Sequence, residues 1–371
     1  MQKLRVFFLT TFLFLTACMV AQPQNSSKPV RLAVIGLTHT HVHWILGSPK
    51  NDKFIIVGIV EPNKDLALRY TQQHGYSMDI VFSTMEEMIA KTKPEAVTAF
   101  GTIYEHLKIV ETCAPLGIHV MVEKPLAVSL KHAKKMETLA KKYKIHLLTN
   151  YETSWYPTTH NAYVWLANDS IGDLSQLIIR DGHRGPKKIG INKEFLDWLT
   201  DPVQNGGGAI TDFGCYGANI STWLHKGKKP LSVTAVTQQF QPENNPAVDD
   251  ESTIILAYDS SKSTIQASWN WPIGRKDMEV YGKKGVIYAD NRNKIRIRLA
   301  EGYDGFRETM YSLEERTAPF NDPFLLFAAV IRNEIALAPY DLSSLENNMI
   351  VVEILEAAKL SAKKGKTIQL K

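Results

Sequence analysis

The sequence predicts two unlike domains: a doubly wound parallel α/β sheet, followed by an α+β domain on an open, mostly antiparallel sheet. Short β-branched runs alternate with helical patterns up to about residue 151, and closely spaced strands joined by Gly, Asn, Asp and Ser turns dominate afterwards. A length of 371 residues provides for two cores. With 44% hydrophobic and 22% charged residues, the disordered and fibrous classes are excluded.

The chain opens on a targeting segment. Lys3 and Arg5 give a basic start, Val6 to Leu15 is apolar but too short to span a bilayer, and Leu15-Thr16-Ala17-Cys18 follows. This resembles the lipobox of bacterial lipoproteins, which implies lipidation at Cys18 and an exported, periplasmic or cell-envelope location. Ordinary signal-peptidase cleavage after Ala21 is the alternative, disfavoured by the bulky Met19. Residues 1–18 are then signal peptide and lipobox, and 19–29 a polar tether. The formal charge of +5 falls by two with Lys3 and Arg5 removed, too mild and dispersed for a nucleic-acid partner. The remaining Cys113 and Cys215 read as small buried residues in different domains, not a disulfide.

Residues 30–151 form the first domain. Val30 to Ile35 is a strand ending at Gly36, and His41 to Gly47 the helix after a tight turn. The strand Phe54 to Val60 ends at Glu61, near the spacing at which an acid meets the ribose of an adenine dinucleotide. Alternation continues through Lys64 to Gln73, Asp79 to Val81, Met85 to Lys91, Ala96 to Phe100, Tyr104 to Leu116, Ile118 to Val122, Leu130 to Tyr143 and Ile145 to Thr149. Glu123-Lys124-Pro125 closes the strand Ile118 to Val122, so the Lys124 ammonium faces the crevice where such sheets hold ligands.

Residues 152–371 form the second domain. Its strands are Leu174 to Arg180, Ser232 to Phe240, Ser252 to Tyr258, Ser263 to Trp271, Asp277 to Tyr281, Val286 to Ala289 and Lys294 to Leu299. Helices are expected at Ala209 to Leu224, Asp322 to Ile335 and Leu345 to Ala362. Alternating Val, Ile and Trp would leave an apolar face on the open sheet, so pairing sheet to sheet into a homodimer or homotetramer is expected.

Together these features resemble the glucose-fructose oxidoreductase, inositol dehydrogenase and rhizopine catabolism family, written Gfo/Idh/MocA. The resemblance runs from Val30 to Leu370. It rests on Glu61, His106, Glu123-Lys124-Pro125, Gly206-Gly207-Gly208, Asp212-Phe213-Gly214 and the closing Ser361 to Lys366. It implies a nicotinamide cofactor in the first domain and a sugar, cyclitol or similar polyol against the second sheet. Lys124 matches the lysine that binds or polarises the reacting hydroxyl, and Asp212 an acid that orients the substrate. Tyr216 stands where many members carry histidine, as in the glucose-fructose oxidoreductase branch with its D-x-G-x-Y-G-x-N pattern, here Asp212 to Asn219.

Alcohol oxidation needs a proton acceptor and a charge stabiliser beside the oxygen, and Lys124 and Tyr216 are suitable types. A nearby cation such as an oxidised nicotinamide would lower the pKa of either. Replacing Lys124 is expected to abolish turnover with folding nearly intact. Cofactor contacts are expected from Gly36, Thr38, His39, Thr40, Glu61, Gly101, His106, Glu123 and Lys124. Glu61 favours NAD over NADP, since a carboxylate repels a 2′-phosphate.

The loop Gly36-Leu37-Thr38-His39-Thr40-His41 keeps only the first glycine of G-x-G-x-x-G. Anion binding then falls to free amides at the helix N-terminus and to the Thr38 and Thr40 hydroxyls. His39, His41 and His43 do not form a metal set in this reading, because alternate positions do not converge and no carboxylate is near in sequence. His183 and Arg184 read as solvated loop residues or as contacts to sugar hydroxyls. Trp155 and Trp198 are stacking platforms or core, and Asn219 is a further substrate candidate.

Export adds a constraint, because nicotinamide cofactors are scarce outside the cytoplasm. A catalytic protein there must hold NAD tightly and regenerate it in place. Three readings follow: a sugar or polyol dehydrogenase, a redox-neutral glycosidase working by oxidation, elimination, hydration and reduction, and a non-catalytic sugar binder or sensor.

Overall fold

The computed structural model describes residues 28–370; Cys18, the expected signal peptide and most of the expected tether lie outside the described residues. Six strands, β1 (Val30–Ile35), β2 (Phe54–Val60), β3 (Val81–Phe82), β4 (Ala96–Ala99), β5 (His119–Glu123) and β6 (Leu147–Asn150), form a parallel sheet in the order β3-β2-β1-β4-β5-β6. Helices on both faces explain the near-continuous apolar runs, such as fully buried Ala96–Ala99. Helix Leu130–Tyr143 is typical: the Ser129 hydroxyl accepts the His132 amide at its start, and left-handed Lys144 ends it.

The strand order reverses between β1 and β4, which opens a crevice at their carboxyl ends. Gly36 sits there with φ +77°, and a Cβ on it would lie 2.7 Å from the Gly101 nitrogen. Only glycine meets both conditions.

The second sheet has nine strands: β7 (Leu174–Gly182), β8 (Ser232–Gln238), β9 (Glu251–Ala257), β10 (Lys262–Ser268), β11 (Arg275–Gly282), β12 (Gly285–Ala289), β13 (Lys294–Glu301), β14 (Gly305–Ser312) and β15 (Ile368–Gln369). Their order is β14-β13-β12-β11-β7-β10-β9-β8-β15. All pairings are antiparallel except β7 with β10. β14 and β15 add to the strands expected from sequence; β14 is exposed almost throughout and shows no apolar alternation.

Helices Gly214–Leu224 and Leu345–Lys364 cover one face of this sheet, burying Ile254, Leu256, Ile265, Ile354 and Leu355 in one core. The expected helix from Ala209 is divided at Phe213 into Ala209–Asp212 and Gly214–Leu224. On the open face Ile178, Val236 and Ile255 are interspersed with Arg180 on Glu279, and with Arg296 and Arg298 on Glu308. That face is mixed, not the apolar surface expected from sequence, because charged pairs occupy cross-strand neighbours.

Gly36→Ala is expected to destabilise the fold by about 2 kcal/mol or more, since it adds a backbone clash to a left-handed φ. Urea unfolding measures this; an unchanged midpoint contradicts the close approach to Gly101.

Candidate active site

Lys124 leaves the carboxyl end of β5 and meets Asp212 from the second half of the chain. Its ammonium donates to the Asp212 backbone oxygen at 3.1 Å and ion-pairs with Asp212 Oδ1, and both side chains are 6% exposed. Asp212 is held from other sides as well. Trp269 Nε1 donates to Oδ2 at 2.9 Å, and the turn carrying Asp212 is pinned because Asp249 accepts the Gly208 and Ile210 amides at 3.0 and 2.7 Å. A Cβ at Gly208 would stand 1.7 Å from the Asp249 carbonyl oxygen, so the glycine run permits this approach.

The Lys124 nitrogen lies 5.2 Å from the centre of the Tyr216 ring and 5.9 Å from that of Phe213. Burial alone would lower the Lys124 pKa, but the Asp212 charge overrides it and the net shift is upward. Tyr216 is pushed well above the usual phenol value, first by burial and then by Glu152. Without a cofactor's charge, then, the Asp212 carboxylate sets the direction at Lys124, and burial sets it at Tyr216.

A cleft of about 790 Å³ opens beside this pair, lined in part by Tyr156, His183, Phe213, Lys276 and Arg292. Another cavity, of about 750 Å³ near His146 and Tyr340, lies by the amino end of β6, away from this chemistry. His183 Nδ1 accepts the Gly185 amide at 3.0 Å, and burial lowers its pKa, so the ring is neutral near pH 7. Glu152 holds both Lys276 and the Tyr156 hydroxyl. Burial would raise its pKa; Lys276 outweighs that and brings it to about 2. Asp181 is buried with neither carboxylate oxygen hydrogen-bonded, and burial raises its pKa well above the ordinary value.

Sequence reasoning missed Asn150, Glu152, Tyr156, Asp181 and Lys276. Asn150 and Glu152 were within reach, since they end β6 just as Glu123 and Lys124 end β5. Asp181 and Lys276 meet only through the β7–β11 register, which no local pattern reveals.

At the β1–β4 crevice, Glu61 accepts the Leu37 and Asn63 amides, each at 2.9 Å, and burial raises its pKa. The expected free amides are largely absent: those of His39, Val42 and His43 donate to the carbonyls of Phe100, His39 and Thr40, and that of His41 to His39 Nδ1. The helix behind them, Val42–Leu46, is a single turn. Trp198 Nε1 donates to Thr38 Oγ1 at 2.9 Å, and His39 lies 4.4 Å from the Phe195 ring. His106 Nδ1 bonds to the Leu126 carbonyl at 3.1 Å, and its buried Nε2 has no partner. The crevice thus fits the nicotinamide end of a dinucleotide, near Lys124 and His106. It offers Thr38 and Thr40 where a glycine cradle would receive the pyrophosphate.

His39 and His41 do converge with a carboxylate, contrary to the sequence expectation. Glu123 arrives from β5, with Oε2 at 2.9 Å from His41 Nδ1 and Oε1 at 2.7 Å from Asn150 Nδ2. Burial would raise the Glu123 pKa, but His41 outweighs it and holds it at about 2. Several candidates lie elsewhere. Asn219 bonds to the Leu342 carbonyl between packed helices, and Trp155 is core with Leu326 and Val330. Arg184 is exposed, and Trp198 lies by the crevice loop, not the sugar-sized cleft. Cys113 and Cys215 are free and buried.

Residues 30–151 match the model of the oxidoreductase family's NAD-binding Rossmann fold, and residues 160–288 that of the GFO/IDH/MocA C-terminal domain. The chain belongs to the Gfo/Idh/MocA oxidoreductase family, a class of two-part NAD-binding proteins. Among its relatives is trans-1,2-dihydrobenzene-1,2-diol dehydrogenase of Xenopus tropicalis, 25% identical over 236 residues, or 62% of this chain and 66% of that one. The match thus spans just under two thirds of the relative. The fold is shared with an inositol dehydrogenase homolog from Azotobacter vinelandii complexed with NAD+, at TM-score 0.79 and 16% identity over 93% of this chain and 100% of that one. It is shared too with aldose-aldose oxidoreductase from Caulobacter crescentus complexed with glycerol, at TM-score 0.76 and 18% identity over 92% and 100%.

Lys124→Met is expected to cost about 3–5 kcal/mol in denaturant unfolding, because it strands the buried Asp212. This replaces the expectation that folding stays nearly intact. Adding Asp212→Asn should recover much of the loss; two fully additive losses would show the pair to be uncoupled. A second expectation concerns pH. Asp181 has a folded pKa above its unfolded value of about 3.9, so its stabilising contribution is present below that value. It is lost as pH rises toward the folded pKa, at about 1.4 kcal/mol per unit. The stability of Asp181→Asn relative to wild type should therefore grow with pH across this window; a pH-independent difference would show an ordinary carboxyl.

Proposed function

We propose that the protein is an NAD-dependent oxidoreductase acting on a secondary hydroxyl of a sugar, glycoside or polyol. The observation that carries this reading is the buried Lys124–Asp212 pair beside a wide cleft lined in part by His183, Lys276 and Arg292. Bound NAD supplies the hydride acceptor. Lys124, fixed by Asp212, donates to the alcohol oxygen and stabilises the charge that grows as its proton leaves. The leaving proton passes to water in the cleft; neutral His183, whose Nδ1 already accepts the Gly185 amide, carries its own proton on Nε2 and donates to a substrate hydroxyl, and the high pKa of Tyr216 keeps the phenol protonated too. Tyr216 serves as a hydrogen-bond donor.

The substrate class is supported by the names of the diol and inositol dehydrogenase relatives. NAD is favoured over NADP by the Glu61 carboxylate at the end of β2. Slow cofactor release is supported by the segment lying over the loop: Trp198 bonds to Thr38, Glu194 to Arg69, Asn192 to Tyr70, and the Gln204 carbonyl to the Tyr104 amide. Such retention suits an exported lipoprotein anchored at Cys18.

Acid release of nucleotide from purified protein, identified by mass, is expected to yield NAD. Incubation with a panel of sugars and polyols should then form reduced cofactor, with kcat lowered about 100-fold or more in Lys124→Met assayed where it is folded. A chain that neither carries nor binds dinucleotide, or a Lys124 variant of undiminished rate, defeats the proposal.

A further inference from the structure

We propose that His39, His41 and Glu123 form a binding site for one divalent transition-metal ion of the zinc class. This goes beyond the oxidoreductase reading and stands without it.

The three side chains come from two elements, the loop after β1 and the end of β5, and offer ligand atoms that all lie within 4.8 Å of one another. Metal bonds of about 2.0–2.2 Å place neighbouring ligands some 3–4 Å apart, so a small closure completes the set. His41 Nδ1 and Glu123 Oε2, at 2.9 Å, are slightly closer than that and need only part by a few tenths of an ångström. A hydrogen bond between two would-be ligands is what remains when an ion is withdrawn from between them. His39 Nδ1 accepts the His41 amide at 3.1 Å, which leaves that nitrogen unprotonated. An ion would take over the lone pair from this long contact.

The surroundings hold the ligands in place. Asn150 donates to the other Glu123 oxygen, His41 stacks on Trp44 at 3.9 Å, and His39 is wedged against Phe195. Outer contacts of this kind orient metal ligands. A second observation is independent of the three. His106 donates Nδ1–H to a backbone carbonyl and keeps a bare, buried Nε2, the arrangement a ligating imidazole adopts. It is electrostatically coupled to both His39 and Glu123. An ordinary His41–Glu123 ion pair accounts for neither imidazole.

Two imidazoles and a carboxylate suit zinc and its first-row neighbours better than magnesium or calcium, which prefer oxygen donors. Three protein ligands leave a coordination position for water or for an oxygen of a bound molecule. The ion would lie where a dinucleotide-binding loop normally offers glycine amides.

Chelator-treated full-length protein, titrated with zinc chloride by calorimetry and analysed for metal content, tests the site. One ion per chain is expected, with affinity lowered at least about 100-fold by His39→Gln or His41→Gln and about 10–100-fold by Asn150→Ala. His74→Gln, outside the cluster, is the control and should bind as wild type. Circular dichroism confirms that each variant is folded, and Asn150→Ala serves where a ligand variant is not. NAD affinity measured separately distinguishes failure of this site from failure of the oxidoreductase reading. Folded wild type that takes up no zinc, or uptake indifferent to all three substitutions, overturns the proposal.

Discussion

The buried contact between Lys124 and Asp212 is the constraint around which the two halves of the chain are arranged. An ammonium removed from water needs a counter-charge, and a buried carboxylate needs donors. The first half supplies the cation at the edge of a parallel sheet; the second supplies the anion on a turn fixed by Asp249 and Trp269. Neither half can satisfy its own charge there. The pair therefore couples the seating of the two sheets to the geometry of the site.

The same coupling explains why the glycine run at Gly206–Gly208 belongs with the site. At Gly208 the backbone passes so close to Asp249 that a side chain is excluded, and the passage delivers Asp212 to Lys124. The chain has no comparable freedom on the cofactor side. Thr38 and His41 stand where the second and third glycines of a dinucleotide loop would be, and the amides of His39 and His41 are bonded within the protein. Close backbone approach to phosphate gives way to side chains with their own chemistry.

Period-2 and helical patterning made the doubly wound half legible, and carboxyl-edge logic located Lys124, because both depend on local order in the sequence. What stayed hidden was pairing between distant segments. Spacing along one loop suggested that His39 and His41 point apart; β5 brings Glu123 to them across more than eighty intervening residues. Asp181 and Lys276 likewise meet only through strand register. The apolar open face was misjudged for a related reason: alternation in single strands does not show that Arg180, Arg296 and Arg298 have acidic neighbours on adjacent strands. The edge strand β14, mostly exposed, lacked any pattern to read.

The direction of the shifts at Lys124 and Tyr216 bears on how proton transfer is divided. Both groups hold their protons more firmly than in water, so neither is poised to accept one near neutrality. A neutral imidazole whose Nδ1 accepts a hydrogen bond carries its proton on Nε2 and can only donate from there. His183 is such a group, because the Gly185 amide fixes Nδ1 as an acceptor and burial disfavours the charged ring. The loop after β7 brings this ring against Phe213, on the lining of the cleft. The imidazole of His183 and the ammonium of Lys124 come from different halves of the chain, and the Lys124–Asp212 contact couples their positions.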